Sequence, residues 1–286
     1  MEPFTFIPNP GNLGDVLITA STLDFFDKHH LKYKICDKDY TGNIVYGGGG
    51  AFIPAYQKFW MDLLKKLKPA QKILILPSSF WQVPDFLSSL DDRFTVMARE
   101  KESYQYLSKA KTPARILLDD DMALRSTENL IKRAQRFTVL EYLPLQKLHH
   151  QLKSVGNIAY FLRNDAEKSN SYSSEIDLSN CFGFYETSPV ERIFFGAQLM
   201  LAAVDKFDVI ITDRLHVGVA GILMGKHVYW LDNSYGKISN IYRHALSHIN
   251  RVHFCTELPS IDEVLVRQTG TDNLDRMMKN IQKIHL

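Results

Sequence analysis

Very little in this sequence supports metal, disulfide or membrane chemistry. The 286 residues include three cysteines, Cys36, Cys181 and Cys255, which lie far apart and form no C-x-x-C pair. Neither a zinc site nor a disulfide framework is therefore expected. No other cluster has metal-ligand spacing, so no metal and no cofactor is expected. No apolar run approaches the roughly 18 residues that a membrane-crossing helix needs. The opening MEPFTFIPNP has no basic stretch leading into an apolar one, which points to a reducing, cytosolic setting. Any membrane association is expected to be peripheral or through a substrate. Charge of one sign is not in excess either: 34 Lys and Arg face 32 Asp and Glu, a net charge of +2. No broad basic field for nucleic acid exists, although local anion sites remain open.

Glycine is sparse, at 15 residues, yet four stand together in NIVYGGGGAF, at Gly47 to Gly50. A loose connector asks nothing further of the sequence. The other reading is a surface where main-chain amides closely approach a ligand, favoured by a glycine run that begins where a buried strand ends.

The length, at roughly 100 to 200 residues per domain, suggests two domains. Short β-rich runs alternate with segments of helical period. FTFI (4–7), KYKIC (32–36), NIVY (43–46), KILIL (72–76), FTVMA (94–98) and RILL (115–118) read as strands. Segments 15–29, 56–67 and 101–109 read as helices between them. A long helical stretch from Thr127 to about Lys153 is broken by Pro144. The alternation then restarts with NIAYFL (157–162), a helix over 189–206, DVIIT (208–212), VGVAGILMG, HVYWL (227–231), a helix over 238–247 and RVHFC (251–255). Two further helices are expected from Ser260 onward, and 164–175 is expected to be a surface loop. The pattern predicts βαβ units and mostly parallel sheets, in two α/β domains over 1–150 and 151–286.

Ligands of open α/β sheets sit outside the carboxyl ends of the strands, so the residues leaving each strand are the candidates. PNPGNLGDV after the first strand brings Asn12, Gly14 and Asp15 to a helix start, where free amides can hold an anion. It is neither a P-loop nor a G-x-G-x-x-G turn. Gly48 and Gly49 follow the third run, Ser78 leaves ILILPSSF, Arg99 leaves FTVMA and Arg163 leaves NIAYFL. The densest stretch is VIITDRLH, where Asp213, Arg214 and His216 precede a small-residue helix and could surround one anion. LDNSYGK then adds Asn233, Ser234, Tyr235 and Lys237, with His244 on the helix beyond.

Taken in order, NPGNLGDVLI, VYGGGGAF, ILPSSF, MAREKES, VIITDRLH and LDNSYGKIS resemble the polysaccharide pyruvyl transferase family over residues 8 to about 244. The family usually carries glycine directly after DRLH; this chain has Val217 there and Gly218 next. The resemblance implies a GT-B-like pair of Rossmann-like domains with parallel sheets facing across a cleft. The first would form the acceptor side and part of the donor site, and the second the donor anion site. It implies transfer of the pyruvyl group of phosphoenolpyruvate to sugar hydroxyls, giving a ketal on an exopolysaccharide, a capsule or a lipid-linked precursor at the inner membrane face. Arg99 and Arg214 would bracket the donor. His216 would serve as acid, with Asp15, Asp213 and His244 as candidate bases. A GT-B glycosyltransferase using a nucleotide sugar, and a catalytically silent glycan-binding relative, are the competing readings.

Overall fold

The computed structural model describes residues 2–35, 39–136, 157–165, 167–169, 171, 172, 174, 176–180, 190–234 and 236–264. Strands β1 (Phe4–Ile7), β2 (Tyr33–Ile35), β3 (Gly42–Tyr46), β4 (Gly49–Phe52), β5 (Ala70–Phe80), β6 (Phe94–Ala98) and β7 (Arg115–Leu118) build one sheet. Its order is β2-β1-β3-β5-β6-β7, with β4 joined to β5. Strands β8 (Ile158–Phe161), β9 (Val209–Thr212), β10 (His227–Leu231) and β11 (Val252–Cys255) build a second sheet in the order β11-β10-β9-β8. Every pairing among the described residues is parallel, as the alternating pattern predicts. The alternation places nearly all of these strands within a residue or two. The exceptions are β4, which lies in the glycine run, and β5, which extends through Pro77 to Phe80.

Helices α1 (Leu13–Lys28), α2 (Gln57–Lys66), α3 (Pro84–Ser88), α4 (Lys101–Lys109) and α5 (Glu128–Gln135) accompany the first sheet. Helices α6 (Val190–Asp205), α7 (Leu215–Leu223) and α8 (Lys237–Ile241) accompany the second, and α8 runs on as a π-helical turn, Tyr242–Leu246. Helix α6 is apolar on most of its circumference, with Leu199, Met200, Leu201 and Ala202 all buried, and such helices are buried by neighbours on several sides. It packs on α1 and α5, so Leu17, Ala20 and Leu23 of α1 share one core with α6, α7 and strands of both sheets. The domain boundary near residue 150, the break at Pro144 and the last expected helix lie outside the described residues.

Gly218 has a packing role. A β-carbon there would meet Trp230 Nε1 at 1.8 Å, so glycine is required for α7 to lie against β10. Val217 beside it is fully buried.

Candidate active site

The strand exits of the two sheets converge on a cleft of about 420 Å³. From the first sheet, β1 leads into α1. Asn12 caps that helix by accepting from Gly14 N at 2.8 Å, and Asp15 completes a capping box by accepting from Asn12 N at 3.2 Å. Asn9 Nδ2 donates to the other Asp15 oxygen at 3.2 Å. Asp15 lines the cleft, and burial pushes its carboxyl above the ordinary range against the opposing pull of His216, Lys237 and Arg99. Gly14 makes room for the imidazole: a β-carbon on it would lie 2.6 Å from His216 Nδ1.

The glycine run is a kink within a strand. β3 pairs with the first half of β5 and β4 with the second half, along the same edge. The kink forms where Gly47 N donates to Ile7 O at 2.8 Å and Gly48 crosses Pro77. A β-carbon on Gly48 would sit 2.4 Å from the Pro77 carbonyl oxygen, which makes that glycine a packing requirement. Gly49 has φ +142°, a backbone that L side chains rarely adopt. Gly50 lines the cleft, and a β-carbon there would lie 2.6 Å from Lys237 Nζ and 3.3 Å from Arg99 Nη2.

Two cationic nitrogens thus lie within 3.3 Å of one point over a bare backbone. Arg99 is wholly buried, with Nη1 2.7 Å from Asp121 Oδ2 and Nε donating to Ser79 Oγ at 2.8 Å. Its Nη2 is buried without a hydrogen-bond partner among the described residues. The Lys237 ammonium has no ion pair among them either; burial and the neighbouring Arg99 charge pull it down to about 8, against the pull of Glu167 and Asp15.

Asp121 also faces His216, whose Nε2 is 3.5 Å from Oδ2. Burial opposes ionisation of Asp121, but the Arg99 guanidinium and the His216 ring overcome it and hold the carboxyl well below the usual range. An aspartate ion therefore couples the deepest arginine to the imidazole.

The second sheet contributes a different kind of cluster. Arg214, the N-cap of α7, holds Asp177 through Nε at 2.9 Å and Nη2, and Asp165 through Nη1 at 2.7 Å. Arg163 is engaged with Asp165 at 2.8 Å and Glu167 at 3.0 Å. Both arginines line the cleft with charges already matched by carboxylates. Asp213 is fully buried and accepts from Arg163 N at 2.7 Å, fixing the β8 exit against β9. Asn233 caps the start of α8 by accepting from Lys237 N at 2.9 Å, which aims that lysine into the cleft. Ser234 is exposed, with its amide on Glu167 O at 3.1 Å.

The structure therefore gathers Asn12, Asp15, Arg163, Asp213, Arg214, His216, Asn233 and Lys237 around one cleft, with Arg99 directly behind Gly50. It does not bring Ser78 there, since the Ser78 hydroxyl bonds back to Leu76 O at 2.8 Å and its neighbour Ser79 supports Arg99. His244 also stands apart from the cleft, 3.9 Å from Asp120. Tyr235 lies outside the described residues. Sequence reading misses Asp121, Asp165, Glu167 and Asp177. Asp121 leaves β7 by the same strand-exit rule that finds Arg99, so the signal for it exists in RILLDDDMA.

Comparison with known proteins adds to this geometry. The family described as Polysaccharide pyruvyl transferase matches residues 12–235. A Bacillus subtilis (strain 168) protein named "Putative pyruvyl transferase EpsO" is 28% identical over 279 residues, covering 82% of each chain. A crystal structure of a functionally uncharacterized protein from Klebsiella pneumoniae subsp. pneumoniae NTUH-K2044 superposes with a TM-score of 0.73 at 25% identity. That match covers 90% of this chain and 93% of the other.

Proposed function

The chain belongs to the polysaccharide pyruvyl transferase family, and from that premise we propose that it transfers the pyruvyl group of phosphoenolpyruvate to two hydroxyls of a saccharide, closing a ketal and releasing phosphate. The observation that carries the reading is the pair formed by Lys237 Nζ and Arg99 Nη2 over Gly50. Lys237 has no ion pair among the described residues, and Arg99, although paired with Asp121 through Nη1, keeps Nη2 without a hydrogen-bond partner, so the pair offers an anion one unmatched charge and one unused guanidinium donor. Phosphoenolpyruvate, with a carboxylate and a phosphate ester on the same carbon, suits a fork of one guanidinium and one ammonium. Arg214 is better understood as the post that holds Asp165 and Asp177 in place, since its donors are already engaged.

The chemistry requires a proton on the methylene carbon, attack by one hydroxyl at C2, and departure of phosphate as the second hydroxyl closes the ring. His216 is the proton donor in this reading, and Asp121, 3.5 Å from Nε2, orients the ring. Asp15 is the base for the incoming hydroxyl, since its raised carboxyl is a better proton acceptor than an exposed aspartate. The two sheets are then the halves of a GT-B-like arrangement, with the donor held on the first sheet's exits by Gly50 and Arg99 and closed over by Lys237 and His216. No helix among the described residues is long and apolar enough to cross a membrane; a lipid-linked acceptor would meet the chain peripherally.

Calorimetric titration with phosphoenolpyruvate and, separately, with a panel of nucleotide sugars tests the reading. Saturable binding of phosphoenolpyruvate alone is expected. Saturable binding of a nucleotide sugar without phosphoenolpyruvate would move the chain to glycosyl transfer.

A further inference from the structure

Three aromatic side chains among the described residues are exposed, and two of them leave adjacent strands beside the anion site. Tyr56, 47% exposed, follows β4 and lines the cleft; Trp81, 45% exposed, follows β5. The ends of the two strands are tied together, because Trp81 N donates to Phe52 O at 3.1 Å. Tyr56 ends a short 3-10 turn that starts at Pro54, with its amide on Ile53 O at 3.0 Å and Trp60 Nε1 on the same carbonyl at 3.2 Å. The ring is thus presented by a braced turn. Trp81 lines a smaller cavity of about 100 Å³, and Lys237 forms part of the wall of both spaces.

We infer that the acceptor saccharide lies across the exits of β4 and β5, one sugar ring against Tyr56 inside the cleft and a neighbouring sugar unit against Trp81 at its outer edge. This rests on the transferase reading, from which it takes the class of acceptor. A pyranose has one face of C–H bonds and a rim of hydroxyls, so its site needs an aromatic plane with polar groups around it. The cleft that Tyr56 lines has that composition, with Phe59, Glu167 and Asn180 lining the same space. A path from Tyr56 to Trp81 passes Lys237, which brings the hydroxyls of the inner sugar next to the donor anion. With one aromatic side chain for each of two sugar units, recognition extends beyond the sugar that is modified.

The test is an array of defined mono-, di- and longer saccharides probed with the wild type, Tyr56→Ala, Tyr56→Phe and Trp81→Ala, with phosphoenolpyruvate affinity measured on the same preparations. Tyr56→Ala should weaken retention of every bound saccharide about tenfold, and Tyr56→Phe should restore it. Trp81→Ala should weaken disaccharides and longer chains by a similar factor and leave monosaccharides unchanged. Donor affinity should stay within about twofold of wild type in all three. Wild-type saccharide retention in both alanine variants, or no retention by the wild type, overturns the acceptor surface while donor binding leaves the transferase reading in place. Failure of the wild type to bind phosphoenolpyruvate is a failure of that reading, and saccharide retention lost in the alanine variants would still support the surface.

Discussion

Asp121 Oδ2 sits 3.5 Å from His216 Nε2, a contact that joins the exit of β7 in the first sheet to the first turn of α7 beside the second. The same oxygen is 2.7 Å from Arg99 Nη1. One buried carboxylate therefore sets the position of the proposed acid and neutralises the proposed donor arginine.

Asp121→Asn should reduce kcat at least tenfold, because the His216 ring loses its carboxylate partner, and destabilise the fold by about 3 kcal/mol, because buried Arg99 keeps only the longer contact to Glu100 at 3.9 Å. Urea unfolding and steady-state rates measure the two effects. The pH dependence follows from the direction of the shift. Asp121 is depressed in the folded state, so its stabilisation is full above the unfolded value of about 3.9 and is lost as pH falls through the lower folded value. The wild type should lose stability more steeply than Asp121→Asn as pH falls below about 4.

Lys237 provides a second pH signature. Its ammonium is pulled down to about 8, so between that value and the unfolded value of about 10.4 the unfolded chain binds the extra proton. Fold stability contributed by this group should rise with pH across that window, while donor affinity should fall above about pH 8 as the charge is lost. Lys237→Arg stays charged and should bind phosphoenolpyruvate without that alkaline decline. Calorimetric Kd values from pH 6.5 to 9.5, about three units in all, separate the two proteins.

Gly48 and Gly50 should respond differently to alanine. At Gly48 the new carbon meets backbone, the Pro77 carbonyl oxygen at 2.4 Å, and unfolding measurements should show a loss of about 2 kcal/mol or more. At Gly50 it meets the mobile end of Lys237 at 2.6 Å. Gly50→Ala should keep Tm near wild type and weaken phosphoenolpyruvate at least tenfold.

Arg214→Ala leaves buried Asp177 without its cation, while Asp165 keeps Arg163 at 2.8 Å, and a loss of about 3 to 5 kcal/mol is expected. Loss of activity in this variant should track loss of folded protein. A stable Arg214→Ala protein with donor affinity reduced a hundredfold would return this arginine to direct donor contact.

Much of this arrangement is legible in the residues. Parallel pairing follows from alternating runs such as FTVMA and HVYWL, and the strand-exit rule finds Asp15, Arg99, His216 and Lys237. The rule is blind to where a side chain turns after the strand. Ser78 bonds back to its own strand, and Arg214 turns into carboxylates carried by a loop far away in sequence. β4 is hidden because three of its features oppose strand propensity: two glycines, a kink and a short length. Its partner carries a proline, which removes one ladder donor from β5. The pairing is set by tertiary packing of Phe52 on Phe80, with ring centroids 4.8 Å apart.

The central claim is that Lys237 and Arg99 hold the donor anion over Gly50. Calorimetric titration of phosphoenolpyruvate into the wild type and Lys237→Met tests it most directly. Saturable wild-type binding and at least thirtyfold weaker binding by an equally stable Lys237→Met are expected, whereas equal affinity in the two proteins would contradict the assignment.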